Sequence, residues 1–358
     1  MKTLPQQDVV PNRANARPLT HIHDLVETGL VAPQQAEALE KVAAIYDVRL
    51  PHFLADQIKQ QGIDGSLAKQ YLPQVAELYT TPQENADPIG DEVHSPVKGI
   101  VHRHPDRVLF KPVHQCAVYC RFCFRRAMVG NGGEVLNDAE MEAALHYIAT
   151  TPTIWEVILT GGDPLVMSVR RLEKLVQRLI AIPHVKILRF HTRLPVVEPL
   201  KITADLVRVL ALHPSSWLAL HVNHADELQA PQVIEAIKAL RMAGIQLIGQ
   251  SVLLKGVNNN VAALENLFRR LVELGIKPYY LHHPDLAPGT SHFRLSIEEG
   301  QELMRTLRAT VSGLCLPTYM LDIPGGAGKV PVDYCYYSPQ TTIVQDVKGS
   351  EHSYSKNA

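Results

Sequence analysis

The sequence predicts an α/β fold in which strand–helix units follow a helical N-terminal extension. Three observations carry that prediction. From about residue 107 onward, short apolar runs rich in β-branched residues alternate with helical stretches six times over. Two of those helical stretches end at glycines, Gly244 and Gly275, where a helix stop belongs. The first hundred residues lack the alternation and read as short helices broken by Pro51, Gly62, Gly65 and Pro73. At 358 residues and 46% hydrophobic content, the chain can bury a full core.

Taken in order, residues 1 to about 19 are rich in Pro, Asn and Gln and are expected to be loosely ordered. Over residues 20–79 the pattern is helical, with Ala36, Leu39, Val42, Ala43 and Tyr46 recurring at three- and four-residue steps. This region reads as a helical lid or dimerisation layer, and residues 82–98, with Pro82, Pro88, Gly90 and Pro96, as a linker. The first strand is expected over 107–113, leading into a cysteine-rich loop. Asn137 and Asp138 can cap a helix to about 149, because short side-chain oxygens accept the free N–H groups of a first turn. Further strands are expected at 155–160, 185–190, 217–222, 245–253 and 278–282. Helices are expected near 169–182, 204–212, 233–243, 261–274 and 297–309. In the fifth helix of this series, Leu264, Leu267, Phe268, Leu271 and Leu274 form one apolar stripe, which reads as core packing. Right-handed crossovers wind such units into a doubly wound sheet or a barrel, and the pattern does not choose between them. In both, chemistry gathers at the C-terminal strand ends.

Several segments fall at that rim. Cys116, Cys120 and Cys123 lie close together in C-x3-C-x2-C spacing, and three thiolates on a four-iron cluster leave one iron open for a small molecule. A zinc knuckle completed by His114, or buried free thiols, are the competing readings. Gly161, Gly162 and Asp163 end a strand within T-G-G-D-P, where glycines let backbone approach a ligand or merely serve a tight turn. His221 and Gln250 sit at two other strand ends. The stretch 321–329 is glycine-rich and carries Lys329, but Ile323 and Val330 rule out a Walker A loop. A desolvated lysine there can form a Schiff base with pyridoxal phosphate (PLP), and a surface lysine is the plain reading. Arg103 and Arg107 precede the first strand and can clamp a phosphate or pair with acidic neighbours. Arg125, just past the last clustered cysteine, is a candidate carboxylate clamp. Asp285 and Asp322 could jointly hold a cation, or act as turn residues.

Together these segments resemble the lysine 2,3-aminomutase family of radical S-adenosylmethionine (SAM) enzymes, over about residues 95–338. The shared motifs are C-x3-C-x2-C-F-R-R, T-G-G-D-P, H-V-N-H, G-Q-S-V-L-L-K-G-V-N, P-Y-Y-L, D-L-x-x-G-x-x-H-F-R and D-I-P-G-G-A-G-K. The resemblance implies a partial (β/α)6 barrel of the radical SAM type. Residues 1–95 would be the extension and linker, 96–315 the barrel, and 316–358 the PLP-lysine segment and tail. It implies a [4Fe-4S] cluster on Cys116, Cys120 and Cys123, and PLP on Lys329. Arg125 would bind the substrate carboxylate, and Asp285 with Asp322 the ε-ammonium of L-lysine. Gly161, Gly162, Asp163, His221 and Gln250 would line the SAM site, with Arg103 and Arg107 near PLP. The implied reaction moves the α-amino group of L-lysine to the β carbon, with flavodoxin or ferredoxin as reductant and a homo-oligomeric enzyme. A short branch of the family makes (R)-β-lysine for elongation factor P and is the alternative role. The clostridial branch has a structural zinc site; Asn260 replaces its loop cysteine and no cysteine follows Pro339, so no zinc is expected. Cys315 and Cys335 read as isolated structural residues, and His104 replaces an aromatic residue beside PLP.

Composition excludes other classes. A net charge of -1 gives no reason to expect nucleic acid or an anionic membrane as partner. The polar start lacks the apolar run of a signal peptide, and no window of about 18 apolar residues suggests a membrane span. Five cysteines, three of them crowded, do not form a disulfide framework, and a reducing cytoplasm is the expected compartment.

Overall fold

The computed structural model describes residues 16–130, 133–338, 343–347 and 349–353. The expected loose start at 1–19 lies outside these residues except for its last four. One nine-stranded sheet dominates, with strands following in chain order: β1 (Ile100–His104), β2 (Arg107–Val113), β3 (Glu156–Gly161), β4 (Ile187–Thr192), β5 (Ser216–His221), β6 (Gln246–Val252), β7 (Lys277–His282), β8 (Thr318–Ile323) and β9 (Gly328–Pro331). Strands β2 to β8 pair in parallel, and β1 and β9 pair antiparallel at the two edges. The helices Asp138–Ala149, Val169–Ile180, Ala204–Leu210, Pro231–Met242, Val261–Glu273 and Ile297–Thr310 provide the crossovers.

Strand order decides what the sequence left open. A doubly wound sheet reverses direction at a switch point, whereas unbroken sequential order coils one way. The two ends of this sheet accordingly approach each other: Arg103 Nη1 on β1 lies 3.5 Å from Asp322 Oδ1 on β8. The sheet is a partial barrel, with a seventh parallel strand added to the six expected. That strand, β8, lies beyond residue 315, so the expected boundary there falls inside the region that feeds the sheet. Along β4, Leu188 and Phe190 are fully buried in the core, while Arg189 and His191 face the barrel interior. This period of two sorts apolar residues outward toward the helices and polar ones inward. Helix capping follows the sequence: Asn137 Oδ1 accepts from Glu140 N at 2.9 Å, and the Glu140 carboxylate accepts from Asn137 N at 2.9 Å.

The N-terminal region is bound into the barrel. Its helices, Ile22–Glu27, Ala36–Ala43, His52–Gln61 and Ser66–Tyr71, share one continuous apolar core with the strands. It also grips the cysteine loop, where Tyr119 N donates to Arg49 O and Arg121 N to Gln70 O, each at 2.9 Å. Residues 82–98 are a packed strap rather than a linker, since Glu84 and Asp91 bury their carboxylates against Arg294 and Arg125. The segment before the first expected strand is itself β1, hairpin-paired with β2. Beyond the barrel, three short strands, β10 (Tyr337–Ser338), β11 (Ile343–Gln345) and β12 (Glu351–Ser353), form a second sheet. Among the described residues no helix is long and apolar enough to cross a membrane.

Candidate active site

The inner face of the sheet and the loops at its C-terminal rim enclose a cavity of about 560 Å³. Every residue singled out above as a candidate site residue lines it, from Arg103 on β1 to Lys329 on β9. The barrel thus brings together groups separated by more than two hundred positions. His114, which a zinc knuckle would require, is absent from that lining.

Cys116, Cys120 and Cys123 are half-buried on the cavity wall. Burial pushes all three thiols up, Cys116 well above the usual thiol range and Cys120 to about 12. Proximity to one another adds to the effect in Cys116 and Cys120. Among the described residues, no three His, Cys, Asp or Glu side chains converge closely enough to hold a single metal ion.

The glycines of β3 serve the cysteine loop directly. Gly162 N donates to Val113 O at 2.8 Å and Asp163 N to Gln115 O at 2.9 Å. A side chain at Gly162 would collide with the Gln115 backbone, and Gly161 adopts a φ of 104°. Tight packing of loop on strand therefore accounts for both glycines. The Asp163 carboxylate is saturated within the protein, accepting from Thr192 Oγ1 at 2.8 Å, Arg193 N at 2.9 Å and Leu165 N at 3.0 Å. Burial still raises it above the ordinary carboxylate range. It pins the end of β3 to the end of β4.

Opposite charges fill the other side. Arg125 Nε and Nη2 donate to Asp91 Oδ2 at 3.1 and 2.9 Å, and Lys111 Nζ donates to the same oxygen at 3.3 Å. Burial alone would raise the Asp91 carboxyl, but Arg125 and Lys111 hold it down to about 2. Lys329 lies on a strand rather than an exposed turn and forms an ion pair with Asp322. Its side chain is about a third exposed, yet burial of the amine, with Arg125 and Arg103 nearby, holds it down to about 8 against the pull of Asp285. Asp285, three residues past β7, is pushed up to about 6 by burial, against the pull of Lys329. Arg107 pairs with Asp106 at 2.8 Å at the cavity edge.

The family model described as the radical SAM superfamily matches residues 110–268. An L-lysine 2,3-aminomutase of Fusobacterium nucleatum is 38% identical over 293 residues, 81% of this chain and 69% of that protein. The enzyme of the same name from Acetoanaerobium sticklandii is 37% identical over 84% of this chain and 73% of its own length. That of Escherichia coli is 37% identical over 88% of this chain and 94% of its own length. The chain belongs to the L-lysine 2,3-aminomutase family. It is therefore an isomerase of the radical SAM type, a superfamily that uses a four-iron cluster, SAM and a reductant.

The cysteine loop of this aminomutase fits such a cluster. Three thiols in C-x3-C-x2-C spacing share one cavity wall, the ligand number that leaves one iron of a four-iron cluster open. Burial keeps them protonated until a metal's charge displaces the proton. Sequence reasoning missed His191 and Arg193 on the cavity wall, and Asp91 and Lys111 buried beside Arg125. Lys111 was detectable as a cation set between the apolar residues Val108–Phe110 and Pro112–Val113 of β2. Asp91 gave no signal, because its proline- and glycine-containing surroundings look like a linker. His191, His221 and His282 line the aminomutase cavity as neutral imidazoles, with burial pulling His221 down to about 3. The Nε2 of each has no partner among the described residues.

Proposed function

We propose that this chain is a PLP-dependent radical SAM 2,3-aminomutase interconverting L-lysine and β-lysine. One juxtaposition carries the reading: Arg125 and the carboxylates of Asp285 and Asp322 line the same cavity around Lys329. A free α-amino acid with a terminal ammonium needs a clamp for its carboxylate and a counter-charge for its far end. Two buried carboxylates select that terminal cation and reject an acidic side chain. The name shared by the relatives supports the same substrate.

The ligand-free arrangement fits this assignment. Two of the recognition groups are held by internal counter-ions, Arg125 by Asp91 and Asp322 by Lys329. The Lys329 ammonium stands where a substrate cation would bind, and its lowered pKa of about 8 brings the neutral amine within reach of carbonyl chemistry. Arg103 Nε is buried without a partner, a donor suited to an anionic cofactor group. Lys329 would therefore hold PLP, with Arg103 and Arg107 toward its phosphate. Cys116, Cys120 and Cys123 would hold the cluster, and Gly161, Gly162, Asp163, His221 and Gln250 would border SAM. When bound, the cluster and SAM supply a carbon radical able to take hydrogen from an unactivated C–H bond, and PLP supplies a conjugated ring that eases nitrogen migration. The chain's own residues orient the substrate between its two charged ends and exclude water.

The test is an anaerobic assay of reconstituted protein with SAM, PLP, dithionite and L-lysine, with L-glutamate in parallel, following β-amino acids by mass spectrometry. Turnover of lysine alone is expected. Cleavage of SAM without turnover of either amino acid would sink the substrate assignment and leave the radical machinery standing. An (R)-β-lysine product would move its destination to elongation factor P without changing the site.

A further inference from the structure

The strap at residues 82–98 delivers a carboxylate to the candidate substrate clamp. Asp91 is 1% exposed and held rigidly. Its own backbone N and that of Glu92 donate to the two Asp87 carboxylate oxygens at 2.8 and 2.9 Å, opening the short turn Glu92–His94. A guanidinium presents two edges that fit a carboxylate, Nε with Nη2 and Nη1 with Nη2. Asp91 Oδ2 takes the first edge of Arg125. Arg125 Nη1 makes no hydrogen bond among the described residues, and the guanidinium sits 4.4 Å from the centroid of the Phe124 ring. Lys111 Nζ and Arg103 Nη2 also stand near Asp91, at 3.3 and 3.8 Å. Three cations therefore share one carboxylate, which leaves Arg125 attractive to a second.

We propose that Asp91 is a positioning residue for substrate recognition, holding the Nε edge of Arg125 so that its Nη1 side faces the substrate carboxylate. This rests on the reading of Arg125 as that clamp. A free arginine side chain loses its rotamer freedom when it closes on a ligand, and a side chain fixed beforehand does not. Lys111 offsets the charge of Asp91, so that positioning does not neutralise the clamp.

The test compares two ligands on the PLP-loaded enzyme under anaerobic conditions: L-lysine and 1,5-diaminopentane, which lacks the carboxylate. Dissociation constants come from the absorbance change of PLP. Asp91→Asn is expected to weaken lysine about tenfold, to leave the diamine unchanged, and to raise KM more than it lowers kcat. Asp91→Glu is expected to recover part of the loss. In an Arg125→Gln background, Asp91→Asn should have no further effect on lysine. Equal weakening of both ligands, unchanged lysine binding, or the full loss persisting without Arg125 would each overturn the proposal. Circular dichroism and iron content check folding; should Asp91→Asn fail it, Lys111→Met must weaken lysine and spare the diamine, or the idea falls. The reading beneath has its own control, because Arg125→Gln that leaves lysine binding intact removes the clamp itself.

Discussion

Two buried clusters in this protein are built from the same residue types and behave oppositely. In the first, Glu77 accepts from Arg121 Nε at 2.9 and 3.0 Å, from Arg121 Nη2 at 2.6 Å, and from Arg126 Nη2. All three side chains are 0% exposed. Spare hydrogens go to main-chain oxygens, Arg121 Nη1 to Asp47 O at 2.7 Å and Arg126 Nη1 to Gly289 O at 2.9 Å, and Arg126 Nε makes no hydrogen bond among the described residues. In the second, Asp285 and Asp322 meet Arg103, Arg125 and Lys329 on a cavity wall, with Asp91 and Lys111 buried beside Arg125. There Asp91 Oδ1, Asp322 Oδ1 and Arg103 Nε make no hydrogen bond among the described residues, and Arg103 Nη2 and Nη1 stand 3.8 and 3.5 Å from the two oxygens. The first cluster ties the N-terminal region to the cysteine loop and to the loop that follows β7, and its side chains are closed to solvent. The second is more loosely paired, and Arg103, Arg125, Asp285, Asp322 and Lys329 of it border the cavity. Burial of ion pairs alone does not mark a functional site; incomplete pairing facing a cavity does.

The largest expected effect breaks the closed cluster. Glu77→Ala strands two guanidiniums in a dry interior, and removing one partner of a buried pair costs about 3–5 kcal/mol. Urea denaturation should register that loss, accompanied by poor iron incorporation, because Arg121 lies between Cys120 and Cys123 and Arg126 just past Cys123. A change below about 1 kcal/mol, within the range of surface pairs, would mean that the cluster is not structural and would erase the distinction.

The contrast also explains what the sequence could tell. Six strand–helix units were legible because β2 to β7 and their helices carry strong periodicity, and the thiols, Arg125 and Lys329 because short motifs frame them. The edge strands β1 and β9 were missed. Each is five residues or fewer, and each carries charge, Arg103 and Lys329, in a stretch broken by proline or glycine, which masks alternation. Choosing barrel over open sheet needed the Arg103–Asp322 approach, a contact between residues at opposite ends of the sheet. Asp91 and Glu77 were invisible for a related reason. Their partners come from elements far along the chain, and nothing local distinguishes a buried aspartate from one capping a turn. The glycines of T-G-G-D-P were visible, yet the packing of Gly161 against Lys111 and Val113 and of Gly162 against Gln115 was not.

The next effect sharpens the open cluster by separating function from stability. Asp285→Asn removes a carboxylate whose charged form the interior disfavours, so stability should hold or rise while lysine recognition falls. Losing a hydrogen bond to a charged group is worth roughly 1.5–3 kcal/mol, or about 10- to 100-fold in kcat/KM for lysine. Thermal melting and steady-state kinetics on the same samples decide it. If Asp285→Asn destabilises as Glu77→Ala does, the two clusters are alike after all.

The smallest effect concerns pH, where the clusters' opposite wiring appears as opposite signs. Burial raises the Asp285 carboxyl from its ordinary 3.8 to about 6, so below pH 6 the free enzyme loses the charge that would hold an ammonium group. The kcat/KM for lysine should then fall about tenfold per pH unit below 6, and Asp285→Asn should abolish that limb. For stability the raised value means a cost that is absent below about pH 4 and complete above about pH 6. Asp91, held down to about 2, runs the other way. Its contribution is present above about pH 4 and disappears as pH falls toward 2. Denaturation curves of Asp285→Asn and Asp91→Asn against the parent should therefore diverge in opposite directions as pH rises from 2 to 7. The first should gain on the parent and the second should lose. Curves that run parallel would mean that the two carboxylates share one environment, and that the cavity does not separate a held charge from a waiting one.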